Sequence, residues 1–123
     1  MPGRIIDRWR KDYHLRWLLA AVACTLTVLV LSHLPQDPTP QTLRKGFFHI
    51  DKLEHFVAYG TIALFLFISR RGRRSPGFFL AAFVIVAGIA AFDELTQPIF
   101  ERQAGLDDFA ADLVGILLGA ILS

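Results

Sequence analysis

"DELTQPIFERQAGLDDFAAD", Asp93 to Asp112, holds six acidic residues and one arginine, Arg102, between two runs without any charge, Gly77–Phe92 and Leu113–Ser123. A water-soluble helix interleaves charged and apolar residues so that one face meets solvent. Neither flanking run does so. Apolar runs with their charges gathered at the joint describe helices that enter and leave a bilayer, where only elements satisfying their own backbone hydrogen bonds are stable.

The rest of the composition agrees. The 123 residues suffice for one domain, and a hydrophobic share of 54% with a mean hydropathy of +0.46 exceeds what a soluble core of this size requires. The net charge of +2 and pI near 9.0 do not indicate a nucleic-acid partner, because the 13 Lys and Arg residues lie at segment ends rather than in a patch. The single cysteine, Cys24, sits in an apolar run and reads as a small packing residue.

Working outward, the expected architecture is all-α: a polytopic four-transmembrane-helix bundle with short loops. A basic cytoplasmic N-terminal segment over 1–16 precedes a single membrane domain over 17–123, with helices at about 17–34, 51–69, 77–97 and 106–122. The first run covers about 27 Å at about 1.5 Å per residue, close to the hydrocarbon thickness. It continues well past Cys24 with no A-x-A-like pair near its end, so it reads as an uncleaved signal anchor rather than a cleaved signal peptide. The second helix has to begin near Asp51 to gain enough length, which carries Asp51, Glu54 and His55 into the interface. Residues 35–50, with three of the six prolines, read as an extended outer loop.

Basic residues set the expected orientation. Arg4, Arg8, Arg10, Lys11 and Arg16 precede the first span, and Arg70, Arg71, Arg73 and Arg74 join the second to the third, so both termini are expected in the cytoplasm of a bacterial inner membrane. Nine of the 11 acids (Asp37, Asp51, Glu54, Asp93, Glu94, Glu101, Asp107, Asp108, Asp112) then fall on the outer side.

Helical spacing sorts these residues by face. Asp51, His55 and Tyr59 share one stripe with Glu54 beside them; Glu94 and Gln97 are i, i+3 neighbours above the small residues Ala87, Ala90 and Ala91. Asp108, Asp112, Gly115 and Gly119 share another stripe, in which the glycine pair permits close helix packing and points the acids into the bundle. Arg102 serves as counter-charge to these carboxylates or as a grip for a phosphate. Blander readings stand beside these: Asp51, Glu54 and Asp107 as solvated helix-end acids, and His55 as a structural hydrogen-bond partner of Asp51 or Glu94.

Taken in order, "DKLEHFVAYG", "DELTQPIF", Arg102, Asp108, Asp112, Gly115 and Gly119 resemble the VanZ-like family of small bacterial membrane proteins over residues 51–119. Two departures are visible: Asp112 stands where the family more often has Asn, and the stretch from Gln97 to Arg102 is one residue shorter than usual. The resemblance implies a role in the cell envelope, since the namesake lowers susceptibility to the glycopeptide teicoplanin; it brings no settled reaction.

The expected site therefore has Asp51, His55, Glu94 and Asp112 as catalytic candidates and Arg102, Gln97, Tyr59 and Asp108 as substrate contacts, with Gly115 and Gly119 packing the helices. The substrate class is lipid-linked or cell-wall related. A histidine flanked by carboxylates can act as a base, or the group can hold a divalent cation such as Mg²⁺, although nothing in the sequence requires one. Oxygen-rich ligation favours Mg²⁺, Ca²⁺ or Mn²⁺ over zinc. Ser32, Ser69, Ser75 and Ser123 lie outside these motifs, which gives a serine nucleophile little support. The competing reading is non-enzymatic: a membrane interaction protein whose buried polar cluster only fastens the bundle. Ion movement is weaker, because the cytoplasmic half holds no polar stations. Membrane lipids are the expected surroundings, and the glycine-bearing last helix leaves room for a homo-oligomer.

Overall fold

The computed structural model describes residues 2–34, 41–72, 74–100 and 105–123, with Pro2 and residues 41–51 described by their backbone only. Among the described residues five α-helices follow one another: α1 (Pro2–Asp12), α2 (Leu15–Ser32), α3 (Gln41–Ser69), α4 (Pro76–Thr96) and α5 (Leu106–Leu122), with a 3-10 turn over Gln97–Phe100 extending α4. Among the described residues there is no strand, only an isolated bridge between Tyr13 and Arg70.

Among the described residues, three helices are long and apolar enough to cross a membrane: α2, the Lys52–Ser69 part of α3, and α4 with its 3-10 extension. The apolar α5 has 17 residues and rises about 25 Å. Large apolar side chains such as Leu19, Leu26, Leu80, Ile85, Val114 and Ile121 face outward, whereas Asp93, Glu94, Gln97, Asp108 and Asp112 are buried. That distribution inverts the rule for water and suits lipid.

Two elements depart from expectation. The N-terminal segment is not merely basic: α1 is a helix with Ile5, Ile6 and Trp9 toward one side and Arg4, Asp7 and Lys11 toward the other. The segment expected to be extended over 35–50 is helical from Gln41 onward, so α3 has 29 residues and rises about 44 Å, more than a hydrocarbon core is thick. No proline follows Pro40 in this helix, so nothing interrupts its backbone ladder.

The central helix is α3, which packs against α2, α4 and α5. Tyr59, Ile62, Ala63 and Phe67 of α3 form the core with Ala82, Val86 and Ala90 of α4 and Ile116 of α5. Contact between α3 and α5 is closest at the glycines. A Cβ on Gly115 would collide with the Phe56 carbonyl, and one on Gly119 with the Gly60 carbonyl. Backbones this close admit only hydrogen, which is why Gly60, outside the G-x-x-x-G pair, belongs to the same contact.

The helices α2 to α5 alternate in direction, and each end of the molecule has its own chemistry. At one end the elbow between α1 and α2 is tied to the turn between α3 and α4 by His14 N–H to Ser69 O at 2.6 Å and Arg71 N–H to Asp12 O at 2.7 Å. Gly72, at φ 74°, makes that turn, and Ser75 caps α4 by accepting from the Phe78 N–H at 3.1 Å, with Pro76 in the first turn. The Arg70 guanidinium lies 4.9 Å over Tyr13 and 5.5 Å over Phe78, and Arg74 reaches Ser123. Among the described side chains, Arg4, Arg8, Arg10, Arg16, Arg70, Arg71 and Arg74 collect here. Apart from Asp7 and Asp12 of α1, the described acids collect at the other end.

Candidate functional site

At the acidic end, α3, α4 and α5 each contribute one ionisable side chain to a single point. His55 Nδ1 lies 2.9 Å from Asp112 Oδ1 and 3.5 Å from Glu94 Oε1. All three side chains are at most 10% exposed. Asp112 reaches the point because it stands one turn before Gly115, where α5 touches the Phe56 carbonyl beside His55. Glu94 is held by its other oxygen, which accepts the Gly105 N–H at 3.1 Å and so anchors the start of α5 to the end of α4.

The hydrogen bonding of this group is incomplete. Glu94 Oε1 and Asp112 Oδ2 are buried without a hydrogen-bond partner among the described residues, as is Gln97 Nε2 one turn beyond Glu94. A buried carboxylate oxygen without a partner is costly, so the two orphan acceptors mark a place for a cation, a proton or a ligand's donor.

Other expected residues divide clearly. Tyr59 is fully buried, its ring stacked 6.4 Å from that of His55, but its hydroxyl donates at 2.8 Å to Asp93 rather than into the triad. Asp108 is buried at the start of α5, whereas Asp107 is exposed and pairs with Lys52 at 3.4 Å, as a solvated helix-end acid would. Glu54 is exposed. The Arg102 position and the Asp51 side chain lie outside the described residues.

Beside the triad sits a second polar group that sequence spacing alone does not assemble. Asp93 accepts from Tyr59 and from the Ser32 hydroxyl, with His33 Nδ1 at 3.6 Å. His33 also lies 2.7 Å from the Leu29 carbonyl through Nδ1 and 2.7 Å from Thr96 Oγ1 through Nε2. A carbonyl only accepts, so Nδ1 carries a proton. Ser32, set apart from the motifs in sequence, is thus bonded to an acid of the central motif. The available signal was the polar pair Ser32–His33 closing an otherwise apolar run.

The family model VanZ/LLP1 matches residues 8–123. The chain belongs to this family. Its membership and its apolar helices mark it as a membrane protein. No curated protein and no solved structure matches the chain. The triad of this VanZ/LLP1 member draws on both "DKLEHFVAYG" and "DELTQPIF" and on Asp112, three pieces far apart in sequence.

Proposed function

We propose that this VanZ/LLP1 protein resides in the bacterial cytoplasmic membrane with α2 to α5 spanning it and both termini in the cytoplasm, and that the His55–Glu94–Asp112 pocket at the outer leaflet binds the polar headgroup of a lipid-linked, cell-wall-related molecule. The observation that carries this reading is the pair of buried carboxylate oxygens, Glu94 Oε1 and Asp112 Oδ2, that have no hydrogen-bond partner among the described residues, on two side chains that meet at His55. An acid inside the membrane costs about 2.5 to 3.5 kcal/mol on insertion scales, so two incompletely satisfied ones are retained for something they contact. Support for the topology comes from the gathering of Arg70, Arg71, Arg74, both chain ends and the basic α1 at the opposite end. In the pocket, His55 between two carboxylates can take or give a proton at Nδ1, which suits either tight headgroup binding or acid–base chemistry.

A second reading, that the polar residues fasten the bundle, is favoured by Asp93. Its partners come from α2 and α3, and both of its oxygens are engaged. The two readings part on substitution. In a strain whose teicoplanin susceptibility is lowered by the wild-type protein, Glu94→Gln and Asp112→Asn should restore susceptibility while membrane levels by immunoblot stay unchanged. Phenotype and protein disappearing together would favour the fastener. A wild-type protein without effect on susceptibility would remove the glycopeptide role.

A further inference from the structure

The geometry points to a divalent transition-metal site formed by His55 Nδ1, Glu94 and Asp112, a cation that gives the pocket its affinity for an anionic headgroup. This rests on the pocket reading above and names what the carboxylates hold. The three ligand atoms lie within 4.8 Å of one another, each from a different helix. With metal–ligand bonds of about 2.1 Å, two ligands at a right angle stand about 3.0 Å apart and two at the tetrahedral angle about 3.4 Å. The distances from Nδ1, 2.9 Å to Asp112 and 3.5 Å to Glu94, match these two edges. A cation replacing the single Nδ1 proton would therefore need almost no rearrangement of the three side chains.

Acid clustering alone would not make a site. The independent observation is that Asp112 Oδ2 and Glu94 Oε1 are buried without a hydrogen-bond partner among the described residues, on residues that are 0% and 6% exposed. The neighbouring Asp93 supplies the contrast, being equally buried yet fully hydrogen-bonded. Ligand chemistry selects the ion: the group that meets is one imidazole with only two carboxylates, less oxygen-rich than the set expected from sequence, so the preference moves from Mg²⁺ and Ca²⁺, which prefer oxygen throughout, to Mn²⁺ or Zn²⁺. Charge supplies the function. Two carboxylates facing a phosphate repel it, whereas a bound dication inverts the local field and offers open coordination positions to phosphate oxygens.

The test uses full-length protein purified in detergent and stripped with chelator, titrated separately with Mn²⁺ and Zn²⁺ by calorimetry and thermal unfolding. Wild type should bind one ion per chain and unfold at a higher temperature in its presence. Glu94→Gln and Asp112→Asn should lose both the stoichiometric binding and the metal-induced shift. In chelator their unfolding midpoints should equal or exceed that of wild type, because each substitution relieves carboxylate repulsion. Asp112→Asn keeps the size of the side chain and an oxygen that can accept from His55, so it retains the fold. His14→Gln, at the opposite end, should bind as wild type does. Absence of stoichiometric binding and of any shift for both metals in wild type would overturn the metal site, as would undiminished binding in the two carboxylate variants. If those variants still lose the cellular phenotype while wild type binds no metal, the pocket stands without the ion.

Discussion

Among individual residues, the decisive distinction is between acids with full hydrogen bonding and acids without it. Asp93 joins three helices through Ser32 and Tyr59, so Tyr59→Phe should leave one of its oxygens bare inside the bundle and cost about 1–3 kcal/mol, read as a lower unfolding midpoint in detergent. Glu94→Gln has the opposite character, because the Oε1 it alters has no hydrogen-bond partner among the described residues. The fold should keep its stability while the pocket changes. Part of this arrangement was legible in the chain: that His55 and Tyr59 share a stripe, and that Asp108 and Asp112 share another, follows from the 100° helical step alone, while the Asp51 side chain expected beside His55 lies outside the described residues. What the step could not show is that Tyr59 turns to Asp93 while His55, one turn away, turns to Asp112. Those choices depend on the heights at which α4 and α5 pass α3. The partnership of Ser32 with Asp93 likewise depends on how α2 lies against α4.

Among the helices, the α3–α5 contact governs whether the triad forms. Gly115→Ala would drive a methyl group into the Phe56 carbonyl, part the helices and draw Asp112 away from His55. Overpacking of this kind costs about 1–3 kcal/mol, and loss of the unfolding midpoint together with loss of pocket function is the expected outcome. Gly88→Ala is the internal control, since nothing lies within 4 Å of its added Cβ on the outward side of α4; it should stabilise by about 0.5–1 kcal/mol through helix propensity. The elbow between α1 and α2 has its own pH dependence. His14 sits below its ordinary value of 6.5, first through desolvation and then through the charges of Arg71 and Arg16. The folded elbow thus favours the neutral ring. Its contribution is whole above pH 6.5 and declines as pH falls from there through the lower folded value. Hydrogen exchange at the Arg71 amide, which bonds to Asp12, should accelerate over that interval and not above it.

For the whole molecule, the separation of charge predicts an orientation that labelling can read. In a Cys24→Ala background, Gly105→Cys should react with a membrane-impermeant maleimide on intact cells, while Ser123→Cys should react only after the membrane is opened. The reverse pattern would place the pocket at the cytoplasmic face. By itself the sequence determined that the chain is helical and membrane-embedded and that its main arginine clusters and its main acid cluster stand at different segment ends, because hydropathy and charge act on each segment separately. It also held the placement of Ile5, Ile6 and Trp9 at i, i+3 and i+4 spacing that makes α1 amphipathic. Only the tertiary structure decided which acid is a fastener and which remains open. That outcome depends on ångström-scale heights and separations of neighbouring helices, set where Gly60, Gly115 and Gly119 let backbones touch, and no spacing within one helix carries that information.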